Sequence, residues 1–210
     1  MSAPVRVIDH PVVQHHVTRL RDESTPPAEF RLLVHRLATL LASAATEDLQ
    51  LRDTRVRTPL GETDAKELSE RVGLVPILRA GLGLVDPLLN LLPDAEVWHL
   101  GLFRDEETAE PVEYYRKVPK TDPVDVALVV DPMLATGGSA MLALDVMRDW
   151  RVPRTKLVAL IAAPEGVEAV HSEFPETEIV VAALDECLND QSFIVPGLGD
   201  AGDRQFNTLR

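Results

Sequence analysis

The chain has little of what would place it outside a reducing compartment or on a polyanion. It holds one cysteine, Cys187, so no internal disulfide can form, which suits the cytoplasm. Cys187 stands in no paired motif and reads as a small buried or half-buried residue. The opening MSAPVRVIDHPVVQHH has no basic segment followed by an apolar one, so no signal peptide is expected. No apolar run is long enough to span a bilayer, and no membrane partner is expected. Basic residues are scarce: 21 Lys and Arg stand against 34 Asp and Glu, for a formal net charge of −13. Such a surface repels nucleic-acid backbones, so nucleic acid is not an expected partner. A small phosphorylated ligand would need a local cationic or metal-bearing site. No histidine stands at metal-ligand spacing. His15 and His16 are adjacent and would point to different faces of a helix, as surface or packing residues.

What is present is an ordinary globular balance, 45% hydrophobic and 26% charged over 210 residues. One domain, 1–210, can bury a core without covalent staples. Thr25 and Pro26 resemble a helix N-cap and first position, and apolar residues from Phe30 to Leu41 recur at helical spacing, which predicts a helix over 26–46. Residues 48–62 alternate and carry a turn signal at Pro59-Leu60-Gly61, as in a short hairpin. Strands are predicted at 73–81, 96–104, 124–131, 156–163 and 178–184, and helices at 83–93, 139–150 and 165–174. Strands alternating with helices imply an α/β fold, a mostly parallel sheet covered on both faces. Ligands in such folds sit beyond the carboxyl ends of the strands. The polar stretch 105–123, DEETAEPVEYYRKVPKTDP, holds both tyrosines and reads as a solvated loop or a flap.

Three turns at predicted strand ends invite closer reading. In VVDPMLATGGSA (129–140), an apolar strand closes on Asp131 and a Gly-rich loop leads into a helix. The first turn of a helix has unpaired N–H groups and a positive dipole end, and glycines let those donors approach a phosphate. Thr136 and Ser139 add hydroxyls. No lysine follows the glycines and the spacing is not GxGxxG, so neither common nucleotide motif applies. By itself the turn fits a phosphate cradle or a tight turn with a capping serine. ILRAGLG (77–83) puts Arg79 ahead of Gly81 and Gly83, which suits a multiply charged phosphate or a surface loop. FIVPGLGDAGDRQFNT (193–208) is a Gly-rich tail, or a loop offering backbone groups to a flat ring; Phe193, Ile194 and Val195 anchor it.

Taken together and in order, VPILRAGLG, GLFRDEETAEPVEYYRK, VVDPMLATGGS, AAPEG and IVPGLGDAGDRQF resemble the uracil phosphoribosyltransferase family, from about residue 8 to the C-terminus. Pro132 stands where other phosphoribosyltransferases usually carry a second acid, as in this family. The resemblance implies the type I phosphoribosyltransferase fold, Rossmann-like, with a β-hairpin flap at about 104–123 and a small hood from the terminal segments. It implies transfer of ribose 5-phosphate from phosphoribosyl diphosphate (PRPP) to N1 of uracil, giving UMP and diphosphate. The loop Asp131, Pro132, Met133, Leu134, Ala135, Thr136, Gly137, Gly138 and Ser139 carries over as the PRPP site, its amides taking the 5′-phosphate and Asp131 the ribose hydroxyls. Arg79 and Arg104 carry over as diphosphate contacts, and Asp200 as a PRPP-side residue acting through Mg²⁺. Arg79, Arg104, Asp131 and Asp200 are the candidate catalytic set. The uracil loop, about 193–206, carries over as Ile194, Gly199, Asp200 and Ala201, and Tyr114, Tyr115 and Lys117 as flap residues. The family also implies a homodimer or larger homo-oligomer and allows GTP as an effector, for which the sequence offers no site. Two other classes compete: a phosphoribosyltransferase for another base, against which IVPGLGDAG argues, and a catalytically weak regulatory protein of this fold, such as an RNA-binding attenuator, against which the acidic charge argues.

Overall fold

The computed structural model describes residues 5–104, 111–116 and 122–208. A short strand β1 (Val5–Val7) leads into helices α1 (Pro11–Arg21) and α2 (Pro27–Ala45). An antiparallel hairpin follows, β2 (Leu51–Thr58) and β3 (Gly61–Leu68). Then come β4 (Val72–Leu78), α3 (Leu82–Leu91), β5 (Glu96–Val97), β6 (Leu100–Arg104), β7 (Pro111–Arg116), β8 (Val126–Val130) and β9 (Met133–Leu134). The chain ends with α4 (Gly138–Asp149), β10 (Arg154–Ala162), α5 (Pro164–Glu173), β11 (Glu178–Leu184), β12 (Cys187–Leu188), β13 (Ile194–Val195) and α6 (Ala201–Phe206).

The main sheet runs β1-β11-β10-β8-β4-β6-β7, with β5 also on β4 and β9 also on β10. Its pairings are parallel except β6 with β7. After β4 the chain moves outward to β6, then returns to the other side of β4 as β8 and proceeds to β10 and β11. The order therefore reverses between β4 and β8, and a crevice opens beyond their carboxyl ends.

Both faces are buried, so the central strands are near-continuous apolar runs, and period-2 alternation sorts their side chains into two cores. Leu74, Leu128, Val130, Val158 and Val180 pack with α1, α2 and α3. Val75, Val129, Leu157, Ala159 and Val181 pack with α4 and α5. Trp150 belongs to the second core, and its ring meets Trp98 edge-on, 5.7 Å between centroids.

Several local expectations shift. The second long helix begins one residue later than its Thr-Pro signal suggested: Pro26 is the N-cap and Pro27 opens the helix. Thr25 turns inward, its hydroxyl donating to Arg19 O at 2.7 Å. The strand over 96–104 is split into β5 and β6, because Trp98 N donates to Leu74 O between them. The hairpin keeps the expected turn, but its second strand runs on to Leu68. Pro87 sits inside α3, which frees the Gly83 carbonyl from its usual i→i−4 bond. Helix α4 starts at Gly138, capped by Gly137 rather than by a serine side chain. Cys187 is exposed, not buried: in the two-residue strand β12 its neighbour Leu188 takes the side packed against the core and Cys187 the side facing solvent. Among the described residues no helix is long and apolar enough to cross a membrane.

The end of the sheet away from the crevice is held by charge. Lys156 is buried and its Nζ donates to Ala45 O at 2.9 Å, to Asp48 at 2.7 Å and to Glu178 at 2.8 Å. Lys156→Ala removes three bonds from one ammonium and is expected to lower unfolding free energy by about 1.5–3 kcal/mol. Lys156→Met should recover part of that loss by keeping the apolar stem; urea titrations near neutral pH provide the measurement.

Candidate active site

Strand pairing brings the first two turns together. β4 and β8 run in register, Pro76 beside Val130, so Arg79 leaves one strand three residues past that pair and Asp131 leaves the other one residue past it. The approach is close enough to require glycine. A Cβ on Gly81 would lie 2.5 Å from Val130 O and 2.7 Å from Ile77 O. Arg79 is exposed on this turn. Among the described residues its guanidinium has no hydrogen-bond or ion-pair partner, as suits a group kept for a ligand.

The loop after β8 is docked on its neighbour through backbone. Pro132 O accepts from Leu160 N and Ile161 N, and Leu134 O accepts from Ala163 N. Residues Met133 and Leu134 form β9 against the end of β10. The loop then presses against α5: a Cβ on Gly166 would lie 2.2 Å from Ala135 O, which gives the glycine of AAPEG a steric reason. Gly137 turns the chain into α4 with φ +85°, and a Cβ there would also stand 3.1 Å from Gly166 O. The result is a concave site walled by Asp131, Met133, Leu134, Ala135, Thr136, Gly137, Gly138, Ser139 and Ala140, with Leu157 and Ala159 beneath. The first-turn amides of α4, beginning at Gly138, point into an N-terminal end with no side-chain cap, which is an anion-binding arrangement.

Asp131 is half-buried at the inner edge of this site, and its Oδ1 accepts from Met133 N at 3.3 Å. Burial pushes its pKa up to about 7; the Met133 bond opposes this and the charge of Asp200 adds to it. Asp200, from the third turn, is thus electrostatically coupled to Asp131. It is exposed and caps α6, its Oδ1 accepting from Asp203 N at 2.8 Å. Two carboxylates close enough to feel one another's charge favour a cation between them. Among the described residues no group of three or more His, Cys, Asp or Glu forms a metal cage, so a magnesium ion here would take most of its oxygens from a phosphate ligand.

The third turn is shaped by Gly197 and Gly199, both left-handed with φ +62° and +77°. Ile194 is buried in β13 and Ala201 is buried at the start of α6. The Gly197 peptide is gripped on both sides: its N–H donates to Asp185 at 2.9 Å and its carbonyl accepts from Arg21 at 2.8 Å. Arg21 also forms a bidentate pair with Asp185. Arg204 is buried, spans Leu20 O and Leu198 O at 2.8 Å each and Asp22 O at 2.6 Å, and lies over the Phe30 ring. These supports were not read from the sequence. Arg204 lies within the quoted GLGDAGDRQF motif, as does Leu198, but its other partners, Leu20, Asp22 and Phe30, come from the α1–α2 region nearly the whole chain away.

The flap root is an antiparallel β6–β7 pair in which Arg104 stands opposite Pro111, with an irregularity between Gly101 and Leu102. The backbone of Arg104 and Tyr114 is in this pair, while their side chains lie outside the description. Tyr115 is exposed. Lys117 and the flap tip, 105–110, lie outside the described residues.

Comparison with known proteins follows the geometry. A family model described as uracil phosphoribosyltransferase matches residues 7–208. A uracil phosphoribosyltransferase of Roseiflexus sp. (strain RS-1) is 56% identical over 206 residues, covering 98% of this chain and 99% of that protein. One of Thermoanaerobacter sp. (strain X514) is 51% identical over 209 residues, covering 99% and 100%. Among solved structures, the AQ2163 protein from Aquifex aeolicus superimposes with a TM-score of 0.92 at 38% identity, over 97% of this chain and 98% of that one. A purine phosphoribosyltransferase from Pyrococcus horikoshii shares the fold alone, with a TM-score of 0.52 at 14% identity over 73% and 83% of the two chains.

The raised pKa of Asp131 has a measurable sign. A folded carboxyl with a pKa above its unfolded value keeps a proton that the unfolded chain has released, so it costs stability as pH rises from about 4 to about 7. Asp131→Asn removes that cost. Its melting temperature should exceed the parent's by more at about pH 8 than at about pH 4, as followed by scanning calorimetry without ligand. The same difference at both values would mean that the carboxyl titrates normally.

Proposed function

The chain belongs to the uracil phosphoribosyltransferase family, and from that membership we propose how its crevice transfers the 5-phosphoribosyl group of PRPP to N1 of uracil, releasing diphosphate and forming UMP. It is a glycosyltransferase of pyrimidine salvage. One observation carries the assignment of parts: three glycine-bearing turns, after β4, after β8 and before α6, meet at the switch point of the sheet, each with a different chemistry.

The amides from Gly137 to Ser139, with the Thr136 and Ser139 hydroxyls, take the 5′-phosphate. Thus the turn after β8 is read as a cradle rather than as a capped helix start, and the lack of a side-chain cap on α4 supports this. Asp131 accepts from the ribose hydroxyls, which needs its ionised form. Arg79 and Arg104 take the diphosphate and stabilise it as it leaves, while C1′ gains positive charge. Their charge is local, which reconciles a polyanionic substrate with an acidic chain. Mg²⁺, held mainly by PRPP oxygens with Asp200 as a protein-side contact, supplies further charge neutralisation to the leaving group.

Uracil lies against the third turn, contacting Ile194 and the backbone of Gly199, Asp200 and Ala201. Its edge presents O4, N3–H and O2. Backbone groups facing that edge would be left unpaired by the amino group of cytosine, which rejects cytosine strongly. The positive φ of Gly199 supports a loop that shows peptide groups rather than side chains. The β6–β7 hairpin, with Tyr114, Tyr115 and Lys117, closes over PRPP and limits its hydrolysis by water.

A homo-oligomer is supported by the β2–β3 hairpin. Two strands alone are marginal in water, yet this pair projects with both faces exposed and shows Leu51, Val56, Leu60 and Leu68 to solvent. A second copy would cover them. GTP is the effector that the family allows, and parallel reactions with and without it decide that point.

Incubating the protein with PRPP, Mg²⁺ and labelled uracil should yield labelled UMP; unconverted uracil would sink the reading. Within it, Arg79→Ala should lower kcat/KM for PRPP by about 10²–10³-fold. Gly137→Val puts a branched side chain at a left-handed φ and against Gly166 O, at a strain of about 1–3 kcal/mol. It should raise the KM for PRPP by roughly 10–100-fold and lower the melting temperature by about 2–12 °C, as that strain implies. Steady-state kinetics with varied PRPP read both.

A further inference from the structure

The uracil loop and the diphosphate turn belong to distant segments, yet a single buried side chain joins them. Gln205, in the last turn of α6, is 1% exposed. Its Nε2 donates to Ala80 O at 3.1 Å, the carbonyl that directly follows Arg79. We propose that Gln205 is a positioning residue that locks the Arg79–Gly81 turn to the base loop, so that the leaving group and the attacking nitrogen are held at one separation. This rests on the assignment of Arg79 to diphosphate and of Gly199 to Ala201 to uracil.

Three further features make the contact a strut rather than an incidental bond. First, room has been left for it: a Cβ on Gly83 would fall 1.8 Å from Gln205 Oε1, so the carboxamide occupies the space a side chain would need. Gly83 N also donates to Ala80 O at 3.2 Å, placing both donors on one acceptor. Second, the helix touches the same turn through Gly202, whose added Cβ would stand 3.7 Å from Ala80 Cβ. Third, the far side of Gln205 is fixed, its carbonyl accepting from Arg31 at 2.7 Å. Arg79 itself has no partner among the described residues, so the placement of its backbone decides where its charge lies.

A strut of this kind leaves each half-site intact and sets the distance between them. Its loss should therefore lower kcat more than it weakens either substrate. A displacement of about 1 Å in a reacting geometry can cost about 100-fold.

Three single variants of the full chain and one double variant test the proposal, each with its melting temperature recorded. Gln205→Leu keeps the volume and removes the donor; kcat should fall at least about tenfold while the KM values for uracil and PRPP stay within about threefold. Gly83→Ala leaves Gln205 in the chain but pushes its carboxamide off Ala80. It should give the same pattern, and the double variant should show no additional loss, since both changes break one contact. Gln205→Glu is near-isosteric. Burial raises the pKa of the introduced carboxyl, which can donate to Ala80 O only when protonated, so kcat relative to the parent should rise as pH falls from about 8 to about 6. Packing loss alone would not produce that recovery.

A Gln205→Leu enzyme with kcat within twofold of the parent overturns the proposal, as do additive losses in the double variant or a flat pH ratio for Gln205→Glu. If Gln205→Leu fails to fold, the other two arms decide. The parent's conversion of uracil is measured in the same series. A parent inactive on uracil removes the base assignment, whereas an active parent with unaffected variants removes only the role of Gln205.

Discussion

The site depends on one close approach: the turn after β4 lies so near the end of β8 that Gly81 has no room for a side chain beside Val130 O. Parallel pairing of β4 with β8 sets the two strand ends side by side, and the reversal of strand order between them opens the crevice. With Gly81 in place, a cation at Arg79 and a carboxylate at Asp131 leave neighbouring strands into the same space. The third turn is then brought to the same point by α6, which meets the first turn at Ala80. Three segments about fifty to seventy residues apart become one site because they share a few atoms of backbone around Ala80 and Gly81.

That arrangement explains how a chain with a net charge of −13 can hold a polyanion. Long-range potential works against binding. In the proposed reading the phosphate is instead met at short range by peptide dipoles at the start of α4, whose donors are fixed by the fold and need no reorganisation. The pKa of Asp131 is raised chiefly by burial, and the charge of Asp200 adds a smaller push in the same direction. Among the described residues neither carboxylate is paired with a basic side chain, so the proposed Mg²⁺, arriving with the phosphates, would offset their charge and favour its own binding and the substrate's together.

What the sequence disclosed and what it hid divide along chain distance. The turn from Asp131 to Ser139 was legible because strand, glycines and helix start are contiguous and the physics of a helix N-terminus is local. Of the two readings that turn left open, the capped helix start is the one that fails, since Gly137 rather than a serine side chain precedes α4. The Thr25-Pro26 signal erred by one residue because a second proline, Pro27, was as good a first position, and Thr25 found a better acceptor in Arg19 O. Cys187 was misread from residue type; its exposure follows from Leu188 taking the inward side of the two-residue strand β12, which no periodicity in so short a strand can reveal. Helix α6 was missed because six residues carry too little of a 3.6-residue period to register. The supports at Arg21, Asp185, Arg204 and Gln205 were hidden for a stronger reason: each has at least one hydrogen-bond partner far away in the chain, and nothing local marks them.

The structure also separates what stabilises from what reacts. The ammonium of Lys156 and its two carboxylates sit at the amino ends of the strands, away from the crevice, where satisfied charge holds α2 to the sheet. At the carboxyl ends, Arg79 has no described partner and Asp131 is held against its preferred ionisation, both unfavourable in a free protein. Such groups persist only where the surroundings fix them. The two cores, one on each face, supply that fixation to β4 and β8, and the gripped Gly197 peptide supplies it to the third turn. Arg204 shows the logic most clearly. It is a buried guanidinium that forms no carboxylate hydrogen bond among the described residues, satisfied by three carbonyls and the face of Phe30, with the charge of Asp22 nearby. A charge spent on main-chain oxygens adds little to stability compared with an apolar residue of its size, but it ties the base loop to the α1–α2 junction with a directionality that apolar packing lacks. The buried polar residues behind the third turn are thus best understood as determinants of geometry: they restrict where the loop can be, and the chemistry depends on that restriction.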